Sequence, residues 1–161
     1  MFTEDEGRID PTKTDLYKKG MEIIKVSREI VELLPEDNQM LQNVGSFIIE
    51  DSSKLVVKYA GALNVELYDL KMESAAIIRK AARDLSVQIH SLKMYGFEDY
   101  HYFNIVRDLI EEYRLLFIDW VEGFDPWDYH IDRWGLFNPP GVGPHDKDPD
   151  DDIPFDPDSG I

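Results

Sequence analysis

Apolar residues recur every third or fourth position along four stretches of the chain. The longest, residues 65–95, predicts an unbroken helix with Ala75, Ile78, Ala82, Leu85, Ile89 and Leu92 on one face. A first helix is predicted from Asp10-Pro11 or Thr14, with Tyr17, Met21, Ile24, Val31 and Leu34 as its stripe and Ile23 and Ile30 beside it. Leu34-Pro35 ends it, because the residue before proline is pushed out of the helical region. A second helix should begin at Asp37 or Asn38, carry Leu41, Val44, Ile48, Leu55 and Tyr59 inward, and end near Ala60 with Gly61 as terminator. Asn64 then caps the third helix, Gly96 closes it, and the acids Glu98 and Asp99 lead into a fourth. That last helix has Phe103, Val106, Ile110, Tyr113, Phe117 and Trp120 at alternating steps of three and four, widened by Ile105, Leu109 and Leu116. Short connections force antiparallel neighbours, so the expected fold is all-α: an antiparallel up-and-down four-helix bundle over residues 14–123, preceded by a flexible N-terminus, 1–13. Within it Gly20 marks a close helix crossing, and Ala75 and Ala82 make room for the aromatics of helix 4.

The pattern breaks after Gly123. Residues 124–142 gather Trp127, Tyr129, Trp134 and Phe137 and close with Asn138-Pro139-Pro140-Gly141, so they form at most a short helix before becoming extended. Aromatics in such a segment are either docked on the bundle or held out for a partner, which makes Trp127, Trp134 and Phe137 the candidate partner-binding residues. Residues 143–161 form an acidic, proline-punctuated tail with Ile153, Phe155 and Ile161 as its large apolar anchors. It is expected to be mobile in the free protein and to engage a basic surface with salt-sensitive affinity.

Charge sharpens this picture. Of the net -16, half falls in the last 38 residues, where ten acids face two bases. So acidic a surface repels phosphate backbones and favours cationic partners, so nucleic acid is disfavoured. The 161 residues suffice for one domain with a sizeable core. Cysteine is absent, which excludes disulfides, thiolate metal sites and thiol nucleophiles. The sequence has no run of ~18 apolar residues. Its first residues, MFTEDEGRID, are acidic where a signal peptide would be basic, so a soluble cytoplasmic protein is expected.

Three patterns could carry chemistry. Arg83 and His90 lie seven residues apart, two turns along one helix face, where they could meet a phosphate together. The segment resembles the arginine, polar residue, spacer and histidine motif of the HEPN superfamily. That resemblance implies ribonuclease chemistry, with the histidine as acid or base and the arginine stabilising the phosphorane. Solvated residues of an amphipathic helix are the preferred reading of the same pair. Glu98 and His101 have the Glu-x-x-His spacing of bundle di-metal sites, but no second copy exists. The alternating Asp146, Asp148, Asp150 and Asp152 imitate the start of a calcium loop, yet Asp151 stands where glycine is needed and Pro157 where glutamate is needed. No phosphate loop, zinc pattern or nucleophile elbow is present, and neither a metal nor a cofactor is expected.

The Leu33-Leu34-Pro35 helix end, the alanine-rich IIRKAARDLSVQI of 77–89, the Gly96-Phe97 break and a final helix of similar length together resemble the bacterial four-helix-bundle proteins of the 23S rRNA intervening-sequence group. The likeness covers about 14–123, with KYAGALN at the end of helix 2 where that group has a small-residue segment. It implies an up-and-down bundle that assembles into a ring-like oligomer and works by binding, and no functional residue is carried over. The reading that results is a non-enzymatic helical-bundle interaction or scaffold protein, a homo-oligomer with a protein partner. Its alternative is a ribonuclease using Arg83 and His90.

Overall fold

The computed structural model describes residues 7–148, which form four α-helices and contain no strand. These are α1 (Asp15–Glu32), α2 (Gln39–Ala62), α3 (Tyr68–Met94) and α4 (Asn104–Glu122). Single 3-10 turns, Pro11–Lys13 and Tyr100–Phe103, precede α1 and α4. Each helix packs on its neighbour in sequence and α4 closes on α1, the arrangement of an up-and-down bundle.

The local signals explain where the helices begin and end. The Asp10 carboxylate accepts from Thr12 N–H, and Pro11 follows at the first helical position. Thr14 Oγ1 then accepts from Tyr17 N–H at 3.3 Å to cap α1. Asn38 caps α2 through Leu41 N–H at 3.1 Å. Gly96 ends α3 with φ +90°, a conformation that costs a residue with a Cβ. Two expectations fail. Helix α2 runs through Gly61 to Ala62, because one helical glycine is tolerated when Tyr59 and Ala62 bury beside it. Asn64 does not cap α3, which starts three residues beyond the predicted Val65. Its amide instead makes a two-way pair with the Ile9 backbone, at 3.0 Å in each direction. The chain is therefore tied down from Ile9, inside the segment 1–13 that the sequence marks as flexible.

The core is one apolar cluster fed by all four helices, including Ile23, Leu41, Ile48, Ile78, Leu85 and Val106, none of them solvent-accessible. The predicted positions Met21, Ala82 and Ile105 fall outside the buried core. Leu16, Gly20, Ile23 and Ser27 define the inner face of α1, leaving Met21 on the surface. In α3 Ala75 and Ala81 are buried with Ala82 at the edge, and in α4 Ile105 faces solvent while Leu109 is buried.

Two seams show how small residues are used. A Cβ on Gly20 would stand 2.8 Å from Val56 Cγ2 and 3.5 Å from the Tyr113 ring, so this glycine lets α1 press between α2 and α4. The Tyr113 hydroxyl, buried there, donates to Leu55 O at 2.8 Å. Burial pushes its pKa well above the ordinary tyrosine value. Helix α4 thus fits its aromatics against α1 and α2, with Trp120 edge-on to Tyr59 at 5.1 Å, more than against the alanines of α3. Helices α3 and α4 make the sparsest contact of the four adjacent pairs, and an open groove runs between them.

Candidate functional site

The chain beyond α4 turns back onto the bundle. The Asp128 carbonyl accepts from Tyr68 N–H at 2.8 Å, satisfying one of the free donors at the start of α3. Phe124 packs edge-on to Trp120 at 4.8 Å, and the Lys71 ammonium lies 5.2 Å from its ring centre. Phe124 and Ile131 are the buried anchors, so the 124–142 segment docks in cis through these two and not through its tryptophans.

Residues 132–146 then form a loop organised by one carboxylate. Asp132 accepts from Trp134 N–H at 3.0 Å, Leu136 N–H at 2.9 Å and Phe137 N–H at 2.8 Å. These amides, that of Phe137 foremost, hold its carboxyl below the usual carboxylate range. The Asn138 side chain pairs in both directions with the backbone of Asp132, at 2.8 and 3.0 Å. Gly135, at φ +75°, makes the turn and sits against the Pro144 ring. Arg133 reaches across to Pro144 O and Asp146 O at 3.2 and 2.7 Å. The first part of the predicted acidic tail, 143–146, is thus fastened to the loop. The remainder, with Ile153, Phe155 and Ile161 and the calcium-like Asp150 and Asp152, lies outside the described residues.

What this loop presents is apolar. Trp134 is 91% exposed and Leu136, two residues on, 75%, while Trp127 earlier in the segment is 86% exposed. Phe137, the third predicted binding residue, is half-buried, and its backbone N–H is held by Asp132. Sequence reasoning found the tryptophans through composition. It missed Leu136, an ordinary residue until Asp132 is seen to fix its backbone, and it missed Asp132 itself. An aspartate followed by glycine three residues on and asparagine six residues on was the available signal.

The other candidate residues are not assembled. Arg83 and His90 are both exposed on α3; Arg83 borders the α3–α4 groove, and His90 does not. His101 stands between Tyr100 and Tyr102, with ring centres 6.1 and 4.8 Å away, and Glu98 is exposed. Among the described residues no three histidine or carboxylate side chains converge as metal ligands. No helix among them is long and apolar enough to cross a membrane. Compared with family models, with curated proteins and with solved structures, the chain matches none.

Proposed function

We propose that the chain is a non-enzymatic interaction protein, a helical bundle that binds a protein partner through its C-terminal segment and assembles with copies of itself. One observation carries this reading: Trp134, 91% exposed, stands on a loop whose backbone is fixed by Asp132. Exposed aromatics on pre-ordered backbone make effective binding hot spots, because a tryptophan buries a large area and little ordering entropy remains to be lost. Assembly is supported by the resemblance of residues 14–123 to the intervening-sequence group and by further large apolar side chains on the bundle surface, among them Phe47, Val57 and Val87.

The test compares wild type with the double variant Trp134→Ala/Leu136→Ala in two measurements, mass in solution by light scattering and protein capture from cells of the source organism. The expected outcome is a stable oligomer and a captured protein that the double variant loses. Identical capture by both would refute the role of the loop, and a monomer at all concentrations would refute assembly. Incubation with mixed RNAs covers the enzymatic alternative: cleavage that disappears in His90→Ala would replace this reading with a ribonuclease.

A further inference from the structure

We propose that the groove between α3 and α4 is the docking site of the chain's own acidic sequence, residues 149–161. The groove holds about 350 Å³, with a floor that includes Ile78, Ala82, Phe117 and Ile118 and a rim bearing Arg79, Arg83 and Arg114. Arg114 is shared with Glu111 at 3.0 Å, while neither Arg79 nor Arg83 meets a carboxylate among the described residues. Lys80, the next cation along α3, is already paired with Asp84. On a chain of net charge -16 this groove thus sets a cationic rim around an apolar trough. Its occupant must bring carboxylates together with large apolar side chains.

Residues 149–161, PDDDIPFDPDSGI, meet that description: five aspartates, no base, and Ile153 and Phe155 set between Asp152 and Asp156. Charge decides between this occupant and an acidic partner. A free acidic peptide is repelled by the rest of the surface as it approaches, whereas a tethered one meets the groove at an effective concentration in the millimolar range. Reach allows it. Asp146 is held against Arg133, five residues beyond the Asp128 anchor at the start of α3. From that anchor Arg83 is ~22 Å away along the helix axis. Residues 147–155, which would bring Ile153 and Phe155 to the groove, cover ~30 Å when extended, more than that distance. The two apolar side chains would lie on the floor and the aspartates against Arg79 and Arg83. This docking concerns a different surface from the Trp134 loop, and its failure would leave that loop's role untouched.

The chain has no cysteine, so Ser159→Cys provides a single attachment point for a nitroxide on the full-length protein. At low salt the label is expected to broaden the amide signals of Ala82, Arg83 and Ile118. About 0.5 M salt should largely remove the broadening, since exposed charge pairs are screened over a few ångströms there. Arg79→Glu/Arg83→Glu should abolish it, both sites being exposed and the fold verified by circular dichroism, and adding Asp150→Lys/Asp152→Lys should restore it. Unbroadened groove signals at low salt, or broadening centred on another face, would overturn the proposal. So would broadening that appears only between copies, read by mixing nitroxide-bearing chains with isotope-labelled ones.

Discussion

Between Asp15 and Glu122 one continuous cluster of large apolar side chains packs inward and the backbone is satisfied by its own helices, with side chains intervening at the caps. Between Phe124 and Asp148 two of the largest side chains, Trp127 and Trp134, point outward, and side-chain carboxylate and amide groups hold the backbone. The first region draws its stability from removing apolar area from water, at about 25 cal/mol per Å². The second has only Phe124, Ile131 and Pro139 buried and depends on hydrogen bonds, each worth about 1 kcal/mol net. One chain thus separates folding from presentation. Substitutions that unfold the bundle should leave no loop to examine, while substitutions that loosen the loop should leave the bundle intact.

The largest effect tests the bundle. Leu85 is fully buried in the middle of α3, and Leu85→Asp would place an unpaired carboxylate in the core. That costs several kcal/mol against a total of about 5 to 15, so the far-ultraviolet dichroism of this variant should show a largely unfolded chain at 25 °C. A melting curve like that of wild type would contradict the inner face assigned to α3.

Next in size is the tight seam. Gly20→Ala gains helix propensity of ~1 kcal/mol, yet its Cβ would meet Val56 Cγ2 at 2.8 Å, with Leu55 O and the Tyr113 ring at 3.5 Å behind it. Overpacking in a core costs about 1–3 kcal/mol, which outweighs the propensity gain, so Gly20→Ala should lower the denaturation midpoint by a net 0–2 kcal/mol equivalent. Exposed Gly61, whose Cβ would meet nothing within 4 Å, is the control: Gly61→Ala should raise stability by up to ~1 kcal/mol. Opposite signs at two helical glycines would confirm that α1 is held by close approach.

These residues show what the sequence could and could not carry. Helix number, order, most caps and the α3 face were legible, because apolar spacing and capping chemistry are local. The α1 face was misread because Met21 fits a stripe that Gly20 and Ser27 occupy: a buried glycine and a buried serine are silent in a hydrophobicity pattern. Pairing was misjudged for a different reason. Aromatics on α4 and alanines on α3 look complementary on paper, but which seam closes is decided by all four helices at once, and here α1 takes α4 through Gly20. The loop's apolar tip was visible as composition and invisible as geometry, since nothing short of the fold brings Asp132 to the amides of Leu136 and Phe137.

The loop should yield to acid before the bundle does. Asp132 is held below the ordinary carboxylate range in the folded state, so its contribution is fully present above the unfolded value of about 3.9 and is lost as pH falls through the folded one. Below about pH 4 the Leu136 and Phe137 amide shifts should move toward disordered values while those around Tyr113 stay. Asp132→Ala should produce the same change at pH 7, with cleavage at the loop by added protease and an unaltered thermal midpoint for the bundle. Simultaneous loss of loop and bundle would mean that the two regions fold as one unit.

The smallest expected effect on stability is the most informative about presentation. Trp134 makes no ring contact with the bundle and is 91% exposed, so its side chain contributes almost no buried area; only its backbone N–H, bonded to Asp132, belongs to the loop. Trp134→Ala keeps that N–H and the Asp132 network and should change the unfolding free energy by no more than about 0.5 kcal/mol, the usual range for a surface site. Trp120→Ala is the contrast within the same residue type: its ring meets Tyr59, Phe117 and Phe124, and removing it should cost about 3–5 kcal/mol if the site relaxes little. Chemical denaturation of the two variants measures both numbers. A destabilisation by Trp134→Ala above about 1 kcal/mol would mean that the indole packs on the protein itself, and the outward-facing tip would then be no presentation surface at all.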